Sequence, residues 1–205
     1  MTREGFPMRL PDKIVLATAN RHKAEEINHI LKTILGSTVK TQLLPRPDYL
    51  PEIPETGDTF LDNARIKAST IAKATGLPAL ADDSGISVDA LGGQPGVRSS
   101  SYAGEHASDA DNLQKLLVEL GDNPNRGAKF VTVMVLHVDD ETEFIAKGEI
   151  EGEIVKSPLG NNGFGYDPVF RPEGFQMTFA EMESFQKDEI SHRKLALVSL
   201  FKQFL

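Results

Sequence analysis

The stretch KIVLATANRHKAEEINHILKTILG, residues 13–36, changes its hydrophobic period partway along. Lys13–Ala19 is a short apolar run of strand length. From Asn20 onward Ala24, Ile27, Leu31 and Ile34 recur at helical spacing until Gly36. Asn20 suits the junction, because its side-chain oxygen can accept from the free N–H groups that open a helix. A strand feeding directly into a helix sets an α/β theme, and the flanking sequence decides which kind.

Outward from this segment, Val39–Leu44 reads as a second strand, and the four prolines from Pro45 to Pro54 mark a loop. Thr56 or Asp58 is placed to cap a helix whose buried face is Phe60, Ala64, Ala68, Ile71 and Thr75 and which stops at Gly76. Ala79–Ala81 and Ile86–Val88 flank Asp82–Asp83–Ser84–Gly85, whose composition predicts an acidic turn. Leu91–Gly104 reads as a long loop, and Ser108 caps a helix with Leu113, Leu116, Leu117 and Leu120 inward. Lys129–Val138 and Glu143–Glu153 form a predicted antiparallel hairpin around Asp139–Asp140–Glu141. Pro158–Pro168 is a second glycine-rich loop, and Ser191–Leu205 is a terminal amphipathic helix. Helices mixed with both lone and hairpin strands predict an α/β fold with a mixed sheet.

The chain has 205 residues, 40 % of them hydrophobic, enough for one large domain with a real core. We expect an N-terminal extension over residues 1–12 and a single domain over 13–205. A net charge of −8 gives no reason to expect duplex nucleic acid as a partner, since such binders carry basic patches. There is no cysteine, hence no disulfide, thiolate nucleophile or Cys-based metal site, which fits a reducing cytoplasm. The apolar runs are far shorter than the roughly 20 residues that span a bilayer, so no membrane partner is expected.

Four segments carry candidate chemistry. Thr18, Ala19, Asn20, Arg21, His22 and Lys23 lie where a strand enters a helix, and free N–H groups at the positive end of the helix dipole favour a phosphate there. A plain cap at Asn20 with a solvated Lys23 fits the local sequence as well. Asp82–Asp83–Ser84–Gly85 offers carboxylates for Mg²⁺ or for orienting a water, and alternation along a strand would send only one aspartate into a cleft. A solvent-facing turn is the alternative. Asn161–Pro168 sets Phe164 and Tyr166 among glycines, which allows a flat base to approach an aromatic face. The alternative is a loop with an aromatic packed beneath it. Ser191–His192–Arg193 opens the last helix with a cation that opposes the dipole, so it needs another purpose than helix stability. Donors on His192 and Arg193 suit the O6 carbonyl of a purine, although a solvated arginine would read the same. Glu55 is a possible second carboxylate at a metal, and Lys67 lies off the apolar face of its helix.

Six motifs in order resemble the inosine triphosphate pyrophosphatase family, also called dITP/XTP pyrophosphatases. They are LATANRHK at 16–23, ETGDTFLDNARIKA at 55–68, ADDSG at 81–85, GGQPGVRSSSYAG at 92–104, GFGYDPVF at 163–170, and TFAEM followed by a lysine and SHR ending at Arg193. The resemblance runs from about Lys13 to the C-terminus. It implies an elongated mixed sheet with flanking helices, two lobes around a central cleft, and a homodimer. It implies hydrolysis of non-standard purine nucleoside triphosphates to a monophosphate and pyrophosphate with Mg²⁺. Carried over, Thr18 through Lys23 hold phosphates, Asp83 is catalytic and a metal ligand, and Glu55 lies near the metal. Ser84, Phe164, Gly165, Tyr166, Asp167, Lys187, His192 and Arg193 contact substrate, and Lys67 stands near the phosphates. One loop departs from the family pattern: Ser101 stands where an arginine usually precedes the tyrosine, and Arg98 lies three residues earlier. Other nucleotide pyrophosphatases and a non-hydrolysing purine sensor are the remaining readings.

Overall fold

The computed structural model describes residues 9–35 and 40–204. Gly36, Val39, Leu205 and most of the N-terminal extension lie outside the described residues. Six strands form one sheet in the order β2-β1-β3-β4-β5-β6. They are β1 Lys13–Leu16, β2 Gln42–Leu44, β3 Ala79–Val88, β4 Gly127–Asp139, β5 Thr142–Ile154 and β6 Phe170–Pro172. β1 is parallel to β2 and β3, whereas β3 through β6 pair antiparallel, so the sheet is mixed as expected.

The expected acidic turn is instead the middle of β3. Asp82 and Asp83 pair with Met134 and Val133 of β4 in unbroken register from Ala79 to Val88. Turn-forming composition is a local preference, and here a full ladder with β4 overrides it. The side chains of β3 alternate across the sheet. Leu80 and Ile86 join cores on one face, and Ala79 and Ala81 join the core on the other.

Three apolar clusters seat the helices, α1 Arg21–Leu35, α2 Phe60–Thr75, α3 Asp109–Leu120, α4 Ser184–Ile190 and α5 His192–Phe201. Ile27, Ile30 and Leu31 of α1 and Leu197 and Leu200 of α5 pack on Ile14, Leu16, Met134 and Leu136. Ala64, Ala68 and Ile71 of α2 pack on Val15, Ala17 and Val135 from the opposite face. Leu113, Leu116 and Leu120 of α3 join Phe130, Phe170 and Phe179 at the far end of the sheet. Truncating any of the large buried side chains to alanine removes about 2–5 kcal/mol.

The helix limits follow capping chemistry. Asn20 and Ser108 cap as read, each accepting from a backbone N–H three residues on. The α2 cap is Thr59 rather than Thr56 or Asp58, because its hydroxyl accepts from the Asp62 N–H at 3.1 Å. Gly76 ends α2 in the left-handed conformation, with φ 67°. The Leu91–Gly104 loop contains a 3-10 turn over Gly96–Ser101. The predicted terminal helix is α5 with Ser191 as its cap. No described helix is long and apolar enough to cross a membrane.

β1 touches β3 only as far as Leu80, while β3 runs on to Val88. Ser87 bridges Pro95, and the Ser99 hydroxyl accepts from the Ile86 N–H at 2.9 Å. Between the end of the β1 pairing at Leu80 and the Ile86 contact, the edge of β3 from Asp82 to Gly85 has no strand beside it among the described residues. This opening lies where β1 gives way to α1.

Gly148 of β5 lies directly beneath α5. A Cβ there would overlap the His192 carbonyl oxygen and sit 2.5 Å from the Ala196 nitrogen. Gly148→Ala is expected to lower stability by about 1–3 kcal/mol through displacement of α5. Urea unfolding of the two proteins measures it, and equal midpoints would mean α5 does not depend on this close approach.

Candidate active site

Two aspartates adjacent on β3 leave the sheet in opposite directions, and each meets cations. Asp82 faces α1 and α5, with Lys23 Nζ at 3.1 Å and Arg193 Nε at 3.7 Å from its Oδ2. The Ser84 hydroxyl donates to the same oxygen at 2.7 Å. Burial alone would raise the Asp82 carboxyl, but Lys23, Arg193 and Lys67 outweigh it and hold the group well below the usual carboxylate range. Asp83 faces α2, where Lys67 Nζ lies 3.2 Å from Oδ1 and Asn63 Nδ2 donates to Oδ2 at 3.1 Å. Lys67 Nζ also reaches Glu55 Oε1 at 2.9 Å, so one ammonium ties the two carboxylates together. Burial raises the Asp83 carboxyl despite Lys67, and the Glu55 charge adds to the rise. For Lys67, burial would lower the ammonium, but Asp83, Asp82 and Glu55 together raise it.

Asn63 also fixes the approach to α2, since its Oδ1 accepts from the Gly57 N–H at 2.8 Å. A Cβ on Gly57 would lie 2.5 Å from the Asp62 Cβ. The Gly57 backbone therefore seats closely on α2, two residues after Glu55.

The second glycine-rich loop supplies the opposite wall. Gly163 has φ 74°, and Asp167 Oδ2 accepts from the Phe164 N–H at 2.9 Å. Lys187 Nζ lies 2.7 Å from the same carboxylate oxygen. Burial raises Asp167 in spite of Lys187. The Gly165 N–H donates to Asp109 Oδ2 at 2.7 Å, and the Tyr166 hydroxyl donates to the Ser99 carbonyl at 2.8 Å. His22 stacks on Phe164 with centroids 5.5 Å apart, and Arg193 Cζ lies 5.2 Å from the centroid of that ring.

α5 opens inside this enclosure. Arg193 is 3 % exposed, and its Nη1 donates to Glu26 Oε2 at 2.8 Å. Burial would lower the guanidinium, but Glu26, Asp82 and Asp167 more than restore its charge. His192 is buried and stacks flat on Phe130, with centroids 4.8 Å apart and 8° between planes. Both of its ring nitrogens are buried with no hydrogen-bond partner among the described residues. Burial, then Arg193 and Lys187, hold its pKa well below the ordinary value, so the ring is neutral. A neutral imidazole presents one donor and one acceptor.

These groups enclose a cavity of about 280 Å³ at the open edge of β3. Thr18, Ala19, Asn20, Lys23, Glu55, Lys67, Asp83 and Ser84 line it, with Phe164, Gly165, Tyr166, Asp167, His192 and Arg193. Arg21 does not: its side chain is exposed and pairs with Glu25 at 2.8 Å. Lys187 is buried one layer back, against Asp167, and His22 is exposed and stacks on Phe164 outside the cavity. Arg98 and Ser101, the departing loop positions, face a separate groove with Tyr102 and Lys115.

Sequence reading missed Arg46, Glu52 and Ile53 from the proline-rich loop, and Ser99, Ser100, Asp109 and Phe130 elsewhere on the wall. Arg46 carries no local signal; its guanidinium donates to the Leu50 carbonyl at 3.1 Å and also to that of Pro51. Phe130 was findable, because strand alternation turns it inward. No group of three or more His, Asp or Glu side chains able to hold a metal forms among the described residues. Glu55 and Asp83 nonetheless fit Mg²⁺, which is typically held by one or two carboxylates with waters and substrate phosphates completing the shell.

A family model described as the Ham1 family matches residues 14–203. A dITP/XTP pyrophosphatase from Vibrio cholerae is 48 % identical over 93 % of this chain and 95 % of its own length. A protein of the same name from Streptomyces avermitilis is 45 % identical over 92 % of this chain and 94 % of its own. The solved HAM1 protein from Coxiella burnetii superimposes with a TM-score of 0.83 at 44 % identity, covering 93 % of this chain and 96 % of that one. The Staphylococcus aureus Ham1 protein superimposes at 0.79 with 37 % identity, over 93 % and 96 % of the two chains.

The buried neutral His192 makes stability depend on pH. Below about pH 6.5 the unfolded chain takes up a proton there that the folded chain refuses. Stability from this group is therefore complete above that pH and falls below it, at up to about 1.4 kcal/mol per unit. Urea midpoints between pH 7.5 and 5.5 are expected to drop less in His192→Gln than in the wild type. Parallel declines would show that the ring protonates inside the fold.

Proposed function

This chain belongs to the Ham1 family, and from that premise we propose that it hydrolyses non-standard purine nucleoside triphosphates. The substrates are the inosine, deoxyinosine and xanthosine triphosphates, and the products are the monophosphate and pyrophosphate. Removing such nucleotides keeps their bases out of DNA and RNA. The observation that carries the reading is one cavity with a lysine-bridged carboxylate pair at one end and an unpartnered, neutral, buried His192 at the other.

Each residue has a part in this proposal. Thr18, Asn20 and the first turn of α1 receive phosphate oxygens, where backbone N–H groups and the helix dipole favour an anion. Lys23 and Lys67 add charge at that end and offset the charge that develops on the leaving pyrophosphate, while Lys187 supports Asp167 and Phe164 on the opposite wall. Asp83 and Glu55 would hold Mg²⁺, which would supply electrophilic charge to the triphosphate. Asp83 orients the attacking water in line with the α-phosphorus and accepts its proton. Asn63 and Lys67 hold its carboxylate in place for that task. Phe164 offers its ring face to the base, and Ser84 and Asp167 hold the walls around it.

Base selection rests with α5. Arg193 is a permanent donor, and the neutral His192, kept flat by Phe130, has one N–H to give. Together they meet a carbonyl at purine position 6. Adenine places an amino group there, which leaves buried donors unpaired at about 1–3 kcal/mol each. The same reading sets the activity in the cytoplasm, treats 13–205 as one two-lobed unit, and pairs two copies as a homodimer. The groove lined by Phe60, Val97 and Ile145 and rimmed by Lys129, Lys147 and Glu149 is a surface available for that pairing.

Pyrophosphate release is the direct measure. Inosine, deoxyinosine and xanthosine triphosphates should turn over with Mg²⁺ far faster than adenosine triphosphate, and EDTA should stop the reaction. Asp83→Asn should cost at least about 100-fold in turnover with the fold intact; near-normal rates would remove Asp83 from its role. Arg193→Lys keeps the charge balance with Glu26 and Asp82 but loses the planar fork. It is expected to cut the preference for inosine over adenosine about tenfold, and an unchanged preference would place base reading elsewhere.

A further inference from the structure

Lys23, Arg46, Lys67 and Arg193 line the cavity, and all but Arg46 are already committed to carboxylates. Lys23 pairs with Asp82, Lys67 with Glu55 and Asp83, and Arg193 with Glu26. No carboxylate among the described residues pairs with Arg46, although Glu52 and Glu55 follow it on the same loop. Its partners are neutral: Nη2 donates to the Leu50 carbonyl at 3.1 Å and also to that of Pro51. The donors on Nε and Nη1 have no partner among the described residues.

The loop holds this group in place. Pro45, Pro47, Pro51 and Pro54 restrict its backbone, and the Leu50 N–H closes a turn on the Pro47 carbonyl at 3.2 Å. Leu44, Leu50 and Ile53 pack against the apolar cluster of α2. Arg46 therefore enters from the side of the sheet that carries Asp83 and Lys67, away from His192 and Arg193.

We propose that Arg46 is a further substrate-binding residue, whose guanidinium grips the β- and γ-phosphates, the pair that leaves as pyrophosphate. The inference deepens the proposed function and rests on it. A guanidinium fork matches two phosphate oxygens at once. Lys23 and Lys67 share their charge with carboxylates, so Arg46 is the cavity cation that nothing else offsets among the described residues. The two carbonyl bonds fix the guanidinium before substrate arrives, which leaves little side-chain freedom to lose on binding. Pyrophosphate keeps both of these phosphates and the monophosphate keeps neither, so Arg46 separates the two products.

The test is calorimetric titration of inorganic pyrophosphate and, separately, inosine monophosphate into the protein with Mg²⁺. The wild type, Arg46→Gln and Arg46→Lys are compared, each with its urea midpoint and its pyrophosphate release from inosine triphosphate. We expect Arg46→Gln to weaken pyrophosphate binding about tenfold and to lower kcat/KM similarly. Its affinity for the monophosphate and its urea midpoint should stay at the wild-type values. Arg46→Lys, which keeps the charge without the fork, should fall between the two. Glutamine still donates an amide N–H to the loop carbonyls, so a role confined to holding the loop would leave Arg46→Gln no worse than Arg46→Lys. That result overturns the inference. Equal weakening of both products, or wild-type pyrophosphate affinity in Arg46→Gln, overturns it too. If Arg46→Gln does not fold, Arg46→Lys decides through the same contrast between products. A wild type that binds pyrophosphate but releases none from inosine triphosphate would refute the proposed function, and the titrations would still decide Arg46. One that binds no pyrophosphate would refute the assignment itself.

Discussion

Two adjacent carboxylates in the middle of a sheet are tolerable only if cations reach them from both faces, and most of the architecture answers that demand. An ion taken out of water costs several kcal/mol unless it is well paired. Asp82 takes Lys23 of α1 and Arg193 of α5, and Asp83 takes Lys67 of α2. Each of the three helices covering this part of the sheet is thus tied to β3 by a charge as well as by its apolar stripe. The pairing is not symmetric in its outcome. Asp82 is held ionised beneath the site, whereas Asp83 keeps a raised carboxyl at the cavity wall. Alternation along one strand therefore gives two identical side chains different parts, one in the foundation and one in the proposed chemistry.

The cavity itself is a consequence of unequal strand lengths. β1 stops after four residues and turns into α1, while β3 continues to Val88. The uncovered edge of β3 then faces the free N–H groups opening α1, with the proline-rich loop closing one side and the second glycine-rich loop the other. Gly85 is part of this economy, because a Cβ there would overlap the Gly96 carbonyl and the Ser99 hydroxyl that close the edge beyond it. In the proposed function the strand-to-helix junction and the two lysines that line the cavity, Lys23 and Lys67, take the place of a Walker loop.

α5 links stability to selectivity. It lies against β5 through Gly148 and against β4 through Phe130, and its first two residues sit at the inner end of the cavity. An arginine at the start of a helix opposes the dipole, and a histidine with two unpartnered nitrogens costs free energy in the core. Both costs fall on the residues proposed to read the base, and Arg193 recovers part of its own through Glu26 and Asp82.

The sequence by itself determined the elements whose signals are local. Asn20, Ser108 and Ser191 cap helices because a side chain reaches an N–H three residues away, wherever the helix later packs. The hairpin of β4 and β5 and the helical stripe from Ala24 to Ile34 were equally legible, as was the grouping of Lys23, Glu55, Asp83, Phe164 and His192 through ordered motifs. Tertiary structure alone decided the rest. It made Asp82–Gly85 a strand, because the partner ladder on β4 lies about fifty residues on and no local propensity records it. It turned Arg21 to solvent while drawing Lys23 inward, and it brought Arg46, Asp109 and Glu26 to the site or its support. A charged residue looks the same on a surface as in a site until distant segments meet it, since its energy depends on separations and burial that only the assembled fold sets.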